Sequence, residues 1–189
     1  DHITYSVVHP DMLEDGWIFD DSYQGATKDD LFGSKLLRDI YIKADPNVTT
    51  SVTVPILWDK KLDTIVNNES SEIIRMFNES FNDLTENFND FYPEKHREGI
   101  QRLNDRIYQS VNNGVYLCGF AKTQHAYEKA ARALFDTLDL LDLELSNKKF
   151  LLGDEITEVD LRLIPTLLRF DIVYVTHFKC NLRRIKDYK

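Results

Sequence analysis

Pro55 stands in the middle of an apolar, strand-forming run, Val52-Thr53-Val54-Pro55-Ile56-Leu57-Trp58-Asp59, and no other position restricts the fold of this 189-residue chain as sharply. Proline has no N–H to give to a sheet ladder, so within such a run it marks an edge, a bulge or a turn. If the Val54-Pro55 bond is cis, the place is a tight turn that leaves the peptide groups of Val54 facing outward. An extended peptide could then pair with Val54 as one more strand. The run predicts a hairpin, Val52 to Trp58 and Thr64 to Val66, turned by Lys60-Lys61-Leu62-Asp63. Directly after it, Asn67-Asn68-Glu69-Ser70-Ser71-Glu72 leads into an apolar stripe at Ile73, Ile74 and Phe77, which predicts a helix from Ser70 to about Phe81 with Ser70 as N-cap.

Free amides at a helix start, with the macrodipole behind them, favour a carboxylate. Glu69 beside them suits an ammonium. Carboxylate and ammonium on one carbon make an amino-acid headgroup, and such a headgroup joined to an extended peptide describes glutathione. On this reading Ser70 binds the γ-glutamyl carboxylate, Glu69 helps to fix the amino end, and Val54 with Pro55 meets the peptide. An edge proline or a helix cap is ordinary when alone; both at hairpin spacing make a site.

A chain of this length can hold one large or two small domains. Its net charge of −9 and pI near 5.0 argue against nucleic acid as a partner, because phosphate contacts need a basic face. No apolar run approaches the roughly 20 residues that cross a bilayer, and Asp1-His2-Ile3-Thr4-Tyr5 lacks the basic and apolar segments of a secretory signal. The expected setting is therefore the cytoplasm, with no membrane partner. Cys118 and Cys180 form no CxxC motif and no Cys/His quartet, so neither a disulfide scaffold nor a metal site is expected. His177 and Cys180 fall one helical turn apart, but two ligands do not make a site.

Ile3-Thr4-Tyr5-Ser6-Val7-Val8 reads as a strand, Asp11 to Asp30 as a turn-rich loop carrying Trp17, and Leu31 to Ala44 as a helix with an apolar stripe at Leu36, Leu37, Ile40 and Tyr41. Thr85 to Tyr92 is polar and suits a linker whose Phe88 and Phe91 dock on a neighbour. Beyond it the pattern is helical throughout. Pro93 fits a first turn, and Ile100, Leu103, Ile107 and Val111 line one face until Gly114 stops the helix. A long helix follows from about Thr123 to Ser146. Thr157 and Asp160 form a capping box ahead of another, with an Ile156 to Leu161 staple.

Several of these segments, in order, resemble the glutathionyl-hydroquinone reductases, also called xi-class glutathione transferases. They are Val-Thr-Val-Pro with Leu-Trp-Asp-Lys-Lys and Ile-Val-Asn-Asn-Glu-Ser-Ser-Glu-Ile-Ile-Arg; Ser6-Val7-Val8-His9-Pro10 with Leu13-Glu14-Asp15-Gly16-Trp17; Asn112-Asn113-Gly114-Val115-Tyr116; and Arg169-Phe170-Asp171 through Tyr174, with His177 to Ile185. The resemblance implies an α/β plus all-α chain of glutathione-transferase fold. It has a partial thioredoxin-like domain over residues 1–82, lacking its first strand and helix, a linker over 83–92, and an all-helical domain over 93–189 that is cut short at its end. It implies glutathione as co-substrate, no metal, and a homodimer. Trp17 would lie against glutathione, while Tyr116 and Tyr174 would surround a quinol substrate.

Two departures stand out. Family members work through a cysteine in a Cys-Pro-Trp-Ala motif at the start of their first helix, where the dipole and backbone amides lower the thiol pKa. That motif is absent, and by position its cysteine would precede Asp1; Cys118 and Cys180 read as small buried hydrophobes. Ser51 stands where the family usually has an arginine, which removes one charged contact to glutathione. The reading is a glutathione-dependent oxidoreductase that reduces glutathionyl-hydroquinones. The alternatives are an omega-like thioltransferase or dehydroascorbate reductase, and a non-catalytic binding or scaffold protein of transferase shape.

Overall fold

The computed structural model describes residues 3–12 and 14–189, so Leu13 of the early motif lies outside the described residues. The chain divides into two units, residues 1–76 and 77–189.

In the first unit, helix α1 runs from Leu37 to Ala44, six residues later than the apolar spacing suggests. The cause is Asp29. Its buried carboxylate accepts from the amides of Leu31 and Ser34 at 2.9 Å and of Phe32 at 3.2 Å, which holds these residues in a turn. Gly33 completes that turn in the left-handed region at φ 68°, where a side chain is disfavoured. Leu37, Ile40 and Tyr41 of α1 are the buried centre of this unit, with Val8, Trp17, Phe19, Val52, Ile56 and Trp58 among those packed around them. Each such aliphatic side chain taken from water contributes about 1.5–3 kcal/mol.

Strands β1 (Leu57–Asp59) and β2 (Thr64–Asn67) pair antiparallel, Trp58 opposite Ile65 and Asp59 opposite Thr64. Asp59 organises the turn by accepting from the amides of Lys61 (2.7 Å) and Leu62 (2.9 Å), and Asp63 closes it at φ 53°. The ladder is shorter than expected: residues 52–56 do not pair, because Pro55 cannot donate and Thr53 bonds elsewhere. Ile3 to Val8 does not form a strand either. Its backbone contacts go to loops, with Val7 accepting from the Thr27 amide at 2.9 Å, and a strand without a neighbouring strand has no ladder.

Helix α2 covers Ser70–Glu79 and the short helix α3 Asn82–Thr85. Phe88 does not dock; it is exposed, whereas Phe91 is half-buried and its carbonyl accepts from the Glu158 amide at 2.7 Å. Pro93 precedes a 3₁₀ turn, Glu94–His96, that leads into α4 (Arg97–Ile107). Gly114 does not end the helical path. A π turn over Tyr108–Asn112, in which the Asn113 amide donates to the Tyr108 carbonyl, carries the chain into α5 (Gly114–Gly119). Helix α6 spans Gln124–Leu145 behind a Thr123 cap, and α7 spans Glu158–Arg169 behind the capping box of Thr157 and Asp160. A second π turn, Phe170–Tyr174, follows α7. Ile100, Val111, Val115, Leu134, Val159 and Phe170 form the centre of this unit.

Candidate functional site

The Val54-Pro55 peptide bond is cis, and Val54 is 44% exposed with no backbone hydrogen bond among the described residues. What fixes this edge is Tyr41, on the buried face of α1. Its hydroxyl donates to the Thr53 carbonyl at 2.9 Å and accepts from the Thr53 amide at 3.3 Å. The same oxygen accepts from Asn68 Nδ2 at 3.2 Å, and Asn68 also reaches Thr53 Oγ1 at 3.5 Å. The segment before Pro55 and the segment before α2 are thereby tied to one phenol.

Ser70 is not the N-cap. The Glu69 carbonyl accepts from the amides of Glu72 and Ile73, both at 3.0 Å, so Glu69 occupies the cap position and Ser70 is the first helical residue. The side chain that shapes the entry is Asn67, whose Oδ1 accepts from the Glu69 amide at 2.6 Å while its Nδ2 donates to Glu72. Side-chain caps from Asn two residues ahead compete well for such amides. Neither the Ser70 hydroxyl nor the amides of Ser70 and Ser71 make a hydrogen bond among the described residues. Glu69 and Ser70 are both exposed. Two unpaired amides, a hydroxyl and the positive end of a ten-residue helix can hold a carboxylate.

Trp17 is half-buried, and its ring packs onto the cluster of Leu37, Ile40 and Tyr41. Its carbonyl accepts from the Leu37 amide at 2.9 Å, which anchors the loop to the start of α1. The described residues thus put Trp17 against the same helix that carries Tyr41.

In the second unit Tyr116, on α5, and Tyr174, at the end of the second π turn, meet hydroxyl to hydroxyl at 3.1 Å with their rings edge to face. Tyr174 is buried and Tyr116 is 41% exposed. Burial, reinforced by the Tyr116 hydroxyl, pushes the Tyr174 phenol up to about 12, so it stays protonated at neutral pH. Phe178 and Phe120 surround Tyr116 at ring distances of 5.3 and 6.5 Å. Single π turns inside helical segments are frequent at functional places.

Cys118 and Cys180 are free and fully buried. The Cys180 thiol reaches the carbonyls of Phe178 and Val115, and its contact with Cys118 together with burial pushes its pKa up, away from a reactive thiolate. Among the described residues no group of His, Cys, Asp and Glu side chains is placed to hold a metal ion, and no helix is long and apolar enough to cross a membrane.

Tyr41, Thr53, Asn67 and Asn68 are the residues that the sequence reading passed over. Tyr41 sits in an apolar stripe and reads as core, and its hydroxyl was the only signal that the stripe had a polar task.

A small α/β unit followed by an all-helical one is the architecture of the glutathione transferases. Residues 124–189 match the family described as "Glutathione S-transferase, C-terminal domain". The chain is 52% identical over 186 residues to the glutathionyl-hydroquinone reductase YqjG of Escherichia coli (strain K12), an alignment that covers 98% of this chain and 57% of that protein. The glutathione-bound structure of YqjG superposes with a TM-score of 0.95, over 97% of this chain and 59% of that one. The xi glutathione transferase ECM4 of Saccharomyces cerevisiae, in complex with glutathione, matches with a TM-score of 0.91 at 36% identity, over 97% of this chain and 69% of that one. The chain belongs to the glutathionyl-hydroquinone reductase, or xi-class glutathione transferase, family. It spans less than two thirds of the length of the bacterial relatives it matches, 57% of YqjG and 59% of PcpF from Sphingobium chlorophenolicum.

Proposed function

We propose that the whole protein is a glutathione-dependent oxidoreductase that reduces glutathionyl-hydroquinones to hydroquinones. The observation that carries this reading is that the Tyr41 hydroxyl ties Thr53, beside the Val54 edge, to Asn68, ahead of the amides of Ser70 and Ser71, which like that edge make no backbone hydrogen bond among the described residues. Val54 and Pro55 pair with the peptide of glutathione, Ser70 takes the γ-glutamyl carboxylate, Glu69 the ammonium, and Trp17 lies against the ligand. Tyr116 and Tyr174 hydrogen-bond the quinol hydroxyls. Glutathione in the solved structures of YqjG and ECM4 supports the choice of ligand.

The nucleophile is a cysteine outside residues 1–189, because both thiols within them are buried. Its thiolate attacks the glutathione sulfur of the conjugate, forming an S–S bond as the C–S bond to the ring breaks. The ring carbon takes the electron pair and a proton. The thiolate of a second glutathione then attacks the mixed disulfide, releasing oxidised glutathione and the enzyme thiolate. The protein works as a homodimer in the cytoplasm, where free thiols persist. Exposed apolar residues Ile164 and Leu168 of α7 and Ile172 of the π turn that follows it are suited to lie in such an interface.

The test is turnover of a glutathionyl-hydroquinone by the full-length protein with glutathione, beside its Ser70→Ala variant. A rise in KM for glutathione in the variant supports the site. A full-length protein that turns over small disulfides or dehydroascorbate and leaves the conjugate untouched is an omega-like thioltransferase; one that binds glutathione and turns over none of these is a binding module.

A further inference from the structure

We propose that the Tyr41 hydroxyl is a positioning group for the glutathione site: it sets the distance and angle between the Thr53-Val54-Pro55 edge and the tip of α2. The inference rests on the function proposed above and names the residue through which its two halves act together.

The ring and the hydroxyl of Tyr41 do separate things. The ring fills the core with Leu37 and Ile40, and a phenylalanine ring would fill it as well. The hydroxyl is the only partner of the Thr53 amide and carbonyl among the described residues. Thr53 has no ladder to hold it, Val54 makes no backbone hydrogen bond, and Pro55 has no N–H. The edge is anchored at its ends by the apolar contacts of Val52 and Ile56, and in its middle by this phenol. On the other side the same oxygen takes Asn68 Nδ2, next to Glu69.

Tyr41 itself is fixed. It is 5% exposed, and its carbonyl accepts from the Asp45 amide at 3.0 Å at the end of α1. A tripeptide that pairs with Val54 through its backbone and with Ser70 and Ser71 through its γ-glutamyl carboxylate spans these segments with a fixed number of bonds. Displacement of one half by an ångström then loses contacts at the other.

The experiment uses the full-length protein and its Tyr41→Phe variant. A net hydrogen bond contributes about 0.5–1.5 kcal/mol, so loss of one should raise the dissociation constant of glutathione about two- to twelvefold by titration calorimetry. KM for glutathione should rise with it, while kcat at saturating glutathione stays within about twofold. Hydrogen exchange should accelerate at the Thr53 amide and leave the amides of α1 unchanged. Ile40→Val, which trims the same cluster without touching the hydroxyl, controls for stability: it should lower Tm and leave glutathione affinity alone. The inference is overturned if Tyr41→Phe binds glutathione like the wild type, or if Ile40→Val weakens binding as much. Wild-type protein that binds no glutathione overturns the functional reading as well, so the two failures are distinguishable.

Discussion

Gly119 is the last residue of α5, and a methyl group on it would meet Phe178 Cδ1 at 2.2 Å and Cγ at 2.8 Å. Neither distance is possible for a real Cβ, so Gly119→Ala must displace the ring. Phe178 cannot move freely: its ring stands edge to face with Tyr116 at 5.3 Å, Tyr174 at 5.4 Å and Phe120 at 5.5 Å. Each aromatic pair contributes about 0.5–1.5 kcal/mol beyond its buried area, and overpacking costs about 1–3 kcal/mol. Against this, alanine gains about 1 kcal/mol of helix propensity over glycine. The net expectation is a loss of about 1–2 kcal/mol, which chemical denaturation reads as a lower midpoint at unchanged m. Gly114→Ala is the internal control, because its Cβ would find only the Gln109 carbonyl at 3.6 Å and Leu134 at 4.0 Å, ordinary contacts. It should be neutral or stabilising. Phe178→Leu makes room, so the double variant with Gly119→Ala should lose less than the sum of the single changes. Equal stability of Gly119→Ala and Gly114→Ala, or strict additivity with Phe178→Leu, would falsify the packing argument.

Thr157→Ala removes the hydroxyl half of the α7 capping box, in which Asp160 accepts from the Thr157 amide and hydroxyl, both at 2.9 Å; thermal and denaturant unfolding should show a loss of about 0.5–2 kcal/mol. Tyr174 should titrate late, together with Tyr188: its folded pKa, raised to about 12, lies above the ordinary value, so the stability it contributes is whole below pH 10 and is lost as pH rises through 12. Ultraviolet titration of the tyrosinate band, compared with Tyr174→Phe, checks this, and ionisation of that phenol near pH 10 in folded protein would contradict it.

The parts of the fold that the sequence announces are those governed by neighbours within a few residues. The capping box at Thr157, the cap at Thr123 and the Asp59 turn are local contests between side-chain oxygens and backbone amides, and all are visible as residue types at fixed offsets. The misreadings have the same form but a longer reach. Asp29 holds amides as far on as Ser34, so the helix expected from Leu31 begins only at Leu37, where its apolar stripe lies. Asn67, the last residue of β2, holds the Glu69 amide and so turns the chain into α2 one residue early, where the Glu69 carbonyl meets the amides of Glu72 and Ile73. The π turns escape any 3.6-residue reading because they insert one residue into a continuous apolar face, and they matter because Tyr174 ends one of them. The candidate site is legible only in halves. Val54, Pro55, Glu69 and Ser70 are marked by backbone chemistry, whereas the Tyr41 contact that joins them spans 12 residues to Thr53 and 27 to Asn68. Periodicity assigns Tyr41 to the core, and its ring belongs there; its hydroxyl belongs to the site, and only the folded chain separates the two.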